Sequence, residues 1–152
     1  MISKWGGTMK VLVIYTHPNH QSLSYSFLQK VLEGSRENPA VSQIRTLDLY
    51  EEGFNPVLIF NETKRRRDMH KDPALEKYRE MLLWADKIVL VYPIWWGRPP
   101  AMLLGFIDQM FASGFAYEGQ GRVAAGRAAE GQIGRMHLLH EGAGAISPVV
   151  AE

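Results

Sequence analysis

The sequence predicts an α/β fold in which helices cover both faces of a parallel sheet. Short apolar runs alternate along the chain with segments whose apolar residues recur at helical spacing. The third apolar run is apolar throughout, as expected for a strand that is covered on both faces. Such strand–helix alternation favours a parallel sheet with right-handed crossovers, whose ligands bind at the carboxyl ends of the strands.

The first half of the chain predicts two strands around one helix. Residues 9–16, MKVLVIYT, form a buried strand that is followed at once by polar turn residues. Ser22 or Ser24 then caps a helix that runs to about Ser35, where Gly34 and the Asn38-Pro39 pair end it. Residues 42–49 are predicted as the second strand.

The second half begins with a loop from Tyr50 to Asp72, which is longer than most connections in compact domains. Asp72-Pro73 is expected to start a second helix, because Pro suits the first helical turn. A third strand, a loop and a third helix are predicted at residues 88–92, 93–100 and 101–112.

The bulk composition limits the classes of function. With 152 residues the chain suits one domain, and a net charge of +1 selects neither nucleic acid nor an anionic membrane as a partner. Without cysteine there are no disulfides and no thiolate chemistry. Neither a secretory signal nor an integral membrane segment of ~20 apolar residues is visible, so a cytoplasmic protein is expected. Residues 1–8 are expected to be an N-terminal extension.

The segment Thr16–Ser24, THPNHQSLS, is a candidate phosphate site. A loop that enters a helix N-terminus offers backbone N–H groups and a positive dipole end. Ser22 and Ser24 add hydroxyls and His17 adds a ring N–H. Neither a Walker loop nor a GxGxxG fingerprint is present. The alternative is an ordinary capped helix beside a surface histidine.

The segment Pro93–Pro100, PIWWGRPP, is a candidate site for a planar ligand. Loop tryptophans often form flat stacking surfaces, and Gly97 allows close approach of the backbone to a ring. The alternative is that Trp95 and Trp96 fill the core. If the loop binds a planar ligand, Arg98 is expected at the rim of the site, where it could face an anionic group.

Weaker features favour plain structural interpretations. The basic run Lys64–Arg67 is interpreted as a solvated loop face, with nucleotide phosphate contact as the alternative. Five histidines without paired spacing predict no metal site, and no Gly-x-Ser-x-Gly elbow supports hydrolase chemistry.

Together, VLVIYTHPNHQSLS and ALEKYREMLLWADKIVLVYPIWWGRPPAMLLGFIDQMFASGFAYEG resemble the flavodoxin-like NAD(P)H dehydrogenase (quinone) family. The resemblance covers about Lys10 to Gly119. It implies a flavodoxin-like doubly wound parallel sheet, here incomplete, with three clear strands in the order 2-1-3. The flavodoxin-like domain is expected at residues 9–118.

The resemblance also implies a flavin site. The family motif His-Pro-x-x-x-Ser-Phe-Asn wraps the flavin phosphates, and its Phe and Asn are replaced here by Leu and Ser. The family's Pro-Leu-x-Trp loop holds the flavin ring through backbone N–H groups. Trp96 would line one wall of the pocket that nicotinamide and quinone share. No individual catalytic residue is assigned. The implied cofactor-binding residues are His17, Ser22, Leu23, Ser24, Pro93, Ile94, Trp95, Trp96 and Gly97.

The implied activity is NAD(P)H:quinone oxidoreduction with FAD or FMN as the cofactor. NAD(P)H would pass a hydride to the flavin and leave, and a quinone would then use the same pocket, which implies ping-pong kinetics. Family members often form homodimers with the site at the interface. Two alternatives stay open: a non-catalytic flavin- or nucleotide-binding regulatory subunit of a potassium-efflux-type transporter, and a flavodoxin-type electron carrier.

The chain departs from the family after Gly119. Residues 119–152 are rich in Gly and Ala and are predicted as an irregular tail that leaves the third strand at an exposed edge. A permitted back-translation of residues 128–152, read one base later, encodes LLKGKSAGCIFSMKAPALYRPLWL, which resembles the family's continuation. The tail is therefore interpreted as truncated or out of frame, with impaired activity as a consequence. The gene's nucleotide sequence tests this interpretation.

Overall fold

The computed structural model describes residues 8–111 and the backbone of one further strand at residues 135–141. Two 3₁₀ turns, Arg66–Lys71 and Pro73–Leu75, lie between the second strand and the second helix. The strands and helices in chain order are β1 (Met9–Tyr15), α1 (Leu23–Glu37), β2 (Val41–Asp48), α2 (Glu76–Trp84), β3 (Lys87–Pro93), α3 (Ala101–Met110) and β4 (Arg135–Glu141).

The strands form one parallel sheet in the order β2-β1-β3-β4. The predicted order 2-1-3 for the first three strands is therefore confirmed. Tyr15, the last residue of β1, lies beside Asp48 of β2 and Val91 of β3. The carboxyl ends of these three strands thus share one edge of the sheet, where a ligand crevice is expected.

The prediction of an irregular tail is wrong for residues 135–141. These residues form β4, which pairs in parallel with β3 from Lys87↔Arg135 to Pro93↔Glu141. β3 is consequently an interior strand and not the exposed edge that the sequence suggested. Pairing with a preformed strand satisfies backbone groups that a short segment cannot satisfy alone, and periodicity does not report this gain. The proposed boundaries at residues 8 and 118 and the out-of-frame interpretation stay predictions.

Alternate residues of the central strands pack on opposite faces of the sheet, as the pleat requires. Leu12 and Ile14 of β1 belong to a core shared with α2 and α3. Val11, Val13 and Tyr15 belong to a second core, which α1 closes with Leu28 and Leu32. Helices therefore cover both faces, as predicted.

The helix ends differ in detail from the sequence expectation. α1 continues through Gly34 to Glu37 and ends at Asn38, so Gly34 does not stop it. Asp72 does start a helical segment, but the segment is the 3₁₀ turn Pro73–Leu75 that leads into α2. The Asp72 carboxylate accepts a hydrogen bond from the Ala74 N–H at 3.0 Å.

The long loop after β2 is held against α3 at two points. Gly105 of α3 lies against Pro56, where a Cβ on the glycine would come within 2.1 Å of the Pro56 carbonyl oxygen. The buried Gln109 side chain donates from Nε2 to the Asn55 carbonyl oxygen at 2.8 Å. The start of this loop is thereby fixed on the same side of the sheet as α2 and α3.

Candidate functional site

Two loops meet at the carboxyl edge of the sheet, one after β1 and one after β3. The ladder between the two strands extends one residue past β1, because the Thr16 N–H donates to the Val91 carbonyl oxygen at 3.0 Å. Beyond it the His17 and Trp95 rings contact edge to face, with centroids 5.5 Å apart and planes at 61°. The structure therefore brings together the two segments that the sequence singled out.

The first loop ends in a fully formed helix cap. Ser22 is the N-cap of α1, and its Oγ accepts from the Tyr25 N–H at 3.2 Å. The buried Tyr15 hydroxyl lies 3.2 Å from the same Oγ and 3.3 Å from the Asn19 carbonyl oxygen. No acidic residue stands in the first turn of α1. The helix N-terminus keeps its favourable potential for an anion.

The His17 ring is oriented by the turn that follows it. Its Nδ1 lies 3.0 Å from both the backbone N and the carbonyl oxygen of Asn19. When the Asn19 N–H donates to Nδ1, the ring proton sits on Nε2. Nε2 can then donate a hydrogen bond to a group outside the turn.

The other predicted residues of this segment divide by exposure. Ser24 is fully buried, so its hydroxyl is not presented on the surface as the sequence suggested. Leu23 is 61% exposed. Its N–H lies in the first turn of α1, where no helical carbonyl is available as an acceptor. This segment can thus contribute Ser22, the His17 ring and backbone N–H groups to a ligand.

The second loop is a tight turn that displays Trp96. The Trp95 N–H donates to the Arg98 carbonyl oxygen and the Arg98 N–H to the Trp95 carbonyl oxygen, both at 3.0 Å. The two central residues have positive φ, 55° at Trp96 and 71° at Gly97, which is typical of a type I′ turn. A bulky residue in this region costs roughly 1–2 kcal/mol, a strain of the kind that clusters at ligand sites.

The alternative that the tryptophans fill the core is wrong. Trp96 is fully exposed, Trp95 is 41% exposed and Ile94 is 36% exposed, whereas Pro93 is buried at the end of β3. The Trp96 and Gly97 N–H groups have no backbone acceptor among the described residues. This turn therefore offers flat apolar surface together with backbone donors.

Sequence reasoning missed a polar cluster beside the first loop. His20 Nε2 lies 2.6 Å from Oδ2 of Asp48, which ends β2. Thr16, directly after β1, is fully buried, and its Oγ1 has no hydrogen-bond partner among the described residues. The sequence did carry a signal for the His20–Asp48 pair, because His20 follows β1 and Asp48 is the last residue of β2. Only the knowledge that β1 and β2 are neighbours in the sheet turns this signal into a predicted contact.

The described charged residues include one compact cluster beside the first loop and several ion pairs elsewhere. Within the described ranges, His20, Asp48 and Glu51 form the one group close enough to share a metal ion, their ligand atoms lying within 4.8 Å of one another. The basic run is exposed, with Lys64 paired to Asp72 and Arg65 to Asp68. It has the character of a solvated loop face.

The half-buried Tyr50 and the buried Tyr92 lie near the carboxyl edge of the sheet. Burial raises the pKa of the Tyr50 hydroxyl, after β2, and of the Tyr92 hydroxyl, next to last in β3. Both shifts move the tyrosinate form further from neutral pH.

The family model for the flavodoxin-like fold matches residues 9–132 of the chain. The chain therefore belongs to the flavodoxin-like fold family. Among solved structures, a Streptococcus mutans protein is 38% identical with a TM-score of 0.70, over 87% of this chain and 67% of that one. An NAD(P)H:quinone oxidoreductase from Methanothermobacter marburgensis is 25% identical with a TM-score of 0.70, over 88% and 65%.

Curated relatives are oxidoreductases by name. The chain is 35% identical to an uncharacterized NAD(P)H oxidoreductase of Haemophilus influenzae, over 72% of this chain and 54% of the relative. It is 32% identical to an FMN-dependent NADH:quinone oxidoreductase of Caldicellulosiruptor saccharolyticus, over 75% and 60%. The chain thus spans about half the length of the curated relatives it matches. No helix in the described part of the chain is long and apolar enough to cross a membrane.

Proposed function

We propose that the chain binds a flavin mononucleotide or dinucleotide and reduces quinones with NAD(P)H. The contact between the His17 and Trp95 rings carries this proposal, because it joins an anion-binding helix start to an exposed aromatic turn. A ligand that spans both loops needs a phosphate at one end and a flat ring at the other. Flavins have this shape, and the oxidoreductase names of the relatives support the choice.

At the phosphate end, the chain would bind through the first turn of α1. The Leu23 N–H, the dipole of a 15-residue helix and an Nε2–H donor on His17 would all favour an anion. The Ser22 hydroxyl already bonds to Tyr15 and Tyr25, and these bonds fix the position of the first turn. Asp48 and Glu51 lie to one side of the first loop, where they would disfavour an anion that moved towards β2.

At the ring end, the residues of the Trp95–Arg98 turn would orient the ligand. The Trp96 and Gly97 N–H groups suit the carbonyl and nitrogen acceptors at a flavin edge, and the fully exposed Trp96 ring suits stacking. When bound, a flavin would supply two-electron hydride chemistry at this turn, while the Trp95–Arg98 residues would hold and orient its ring. Binding NAD(P)H and quinone in turn at one pocket predicts ping-pong kinetics.

Flavin binding and turnover are tested separately with the purified chain. We expect FMN or FAD fluorescence to be quenched on titration, and NADH or NADPH to be oxidised when menadione is added. Binding without turnover would refute the enzyme proposal and favour a carrier or a regulatory subunit. The absence of binding would refute the flavin proposal as a whole.

Trp96→Gly isolates the ring end of the site. Trp96 is fully exposed and has positive φ, so glycine relieves strain and removes no buried contact. We expect flavin affinity to fall about two- to tenfold, since stacking on an aromatic ring contributes roughly 0.5–1.5 kcal/mol, while the melting temperature is unchanged or higher. Leu83→Ala is the control, because this exposed residue near the end of α2 lies at the opposite edge of the sheet. Equal flavin affinity in all three chains would contradict the proposed ring site.

A further inference from the structure

His20 lies where three elements meet: the loop after β1, the end of β2 and the start of α1. Its Nε2 is 2.6 Å from Asp48 Oδ2, and its ring stacks on Tyr25 with centroids 5.0 Å apart and planes at 24°. The buried Tyr15 ring lies on a further side, at 5.9 Å. One side chain of the first loop therefore contacts β1, β2 and α1.

The Asp48 carboxylate that His20 meets is held in place independently of His20. Its Oδ1 accepts the Tyr50 N–H at 3.0 Å and the Glu51 N–H at 3.1 Å. The side chain is only 10% exposed. Since β2 pairs with β1 up to Tyr15↔Asp48, the position of Oδ2 is fixed relative to the sheet. Asp48 is thus a rigid acceptor. The hydrogen bond from His20 holds the loop after β1 against it.

The stacking partner of His20 belongs to the helix cap. The Tyr25 N–H donates a hydrogen bond to Ser22 Oγ, and the Ser22 N–H in turn donates to the Asn19 carbonyl oxygen at 3.2 Å. A shift of the His20 ring would move Tyr25 or Asn19 and so re-aim the first turn of α1. The turn also carries His17, which is oriented by Asn19.

We propose that His20 is a positioning residue, which fixes the phosphate-binding turn against Asp48 without itself touching the ligand. This inference rests on the proposed flavin site and adds a residue to it. The hydrogen bond to Asp48 sets the direction of the turn, and the stack on Tyr25 sets its distance from α1. Flavin affinity therefore depends on a bond made at the neighbouring strand.

Two substitutions separate the bond from the stack. His20→Phe keeps an aromatic ring against Tyr25 but removes the donor to Asp48, and His20→Gln keeps a donor. We expect His20→Phe to weaken FMN binding about tenfold, as loss of a hydrogen bond to a charged group predicts, and His20→Gln to restore part of this loss. Lys30→Met is the matched control, since it breaks an exposed ion pair with Glu33 on α1 away from the turn.

A double-mutant cycle with Asp48→Asn provides the readout that a merely structural role would not move. Asparagine can still accept the Tyr50 and Glu51 N–H groups, so it alters chiefly the bond to His20. In that background we expect His20→Phe to have little further effect on the FMN dissociation constant. KM for NADH at saturating FMN should stay at the wild-type value in every variant, because the turn acts at the phosphate end.

A measurement without flavin completes the test. In the chain without cofactor, we expect faster hydrogen exchange at the Ser22 amide in His20→Phe than in Lys30→Met. If the wild-type chain binds FMN and His20→Phe binds it equally well, the proposed role of His20 is refuted while the flavin site stands. Additive effects of the two substitutions in the cycle would refute the role of His20 in the same way. No FMN or FAD binding by the wild-type chain would instead refute the flavin site, and unchanged exchange at Ser22 would separately refute the positioning role.

Discussion

Among the described glycines, Gly105 is the one at which an added Cβ would overlap a neighbouring residue. It lies within α3, where glycine is less favourable than alanine by about 1 kcal/mol. A Cβ at this position would lie 2.1 Å from the Pro56 carbonyl oxygen and 2.5 Å from Pro56 Cβ, against ordinary contact at 3.4–4 Å. Because the nearest atom is backbone, a rotamer change cannot relieve the overlap, and the loop has to retreat by roughly 1 Å or more.

Displacement of the loop would also weaken the hydrogen bond from the Gln109 side chain to the Asn55 carbonyl oxygen. Gln109 lies one helical turn after Gly105 in α3. Overpacking typically costs 1–3 kcal/mol, and a lost hydrogen bond at a buried side chain costs about 1 kcal/mol more. After the gain in helix propensity, we expect Gly105→Ala to destabilise the chain by about 2 kcal/mol. In a chain of this size that lowers the melting temperature by roughly 6 °C.

Gly34→Ala is the matched control for this prediction. Gly34 also lies inside a helix, α1, but a Cβ there meets nothing within 4 Å. Alanine at this exposed position should therefore raise the melting temperature, by the propensity difference alone. Urea unfolding of the three chains gives both free energies. If Gly105→Ala is as stable as Gly34→Ala, the close packing of the loop on α3 is refuted.

Two further predictions concern polar groups. Thr16→Val should raise the free energy of unfolding by about 1 kcal/mol, because the buried Thr16 hydroxyl has no hydrogen-bond partner among the described residues; a loss of stability in urea unfolding would show that the hydroxyl is bonded. The side-chain hydrogen bond from Lys64 holds the pKa of Asp72 below its ordinary value of 3.8. The folded state therefore favours the ionised form of Asp72. The resulting gain in unfolding free energy is complete above the unfolded pKa of about 3.8 and is lost as the pH falls through the lower pKa of the folded state. We expect the difference in unfolding free energy between wild type and Asp72→Asn to narrow on acidification below about pH 4, and a difference independent of pH would contradict this account.

The local pattern of residues determined the succession of the first six elements. Val11–Tyr15 and Ile88–Tyr92 are continuous apolar runs, and a strand with both faces covered requires such a run. Ser22 was one of two predicted caps of α1 and is the cap found. Both loops of the candidate site were also singled out from the sequence, because they come directly after buried strands and carry unusual side chains, and the structure places them side by side. These features depend on neighbours along the chain, which periodicity and capping rules describe well.

Contacts between distant segments were decided only by the tertiary structure. The exposure of Trp96 depends on positive φ in its turn, and a non-glycine residue gives no sequence signal for that conformation. The pairing of His20 with Asp48 requires β1 and β2 to be neighbours, and the fit of Gly105 to Pro56 requires the loop to cross α3. β4 was missed for the same reason, because its stability comes from pairing with β3. Local composition therefore determined which elements form, while the free energy of long-range packing decided which side chains meet.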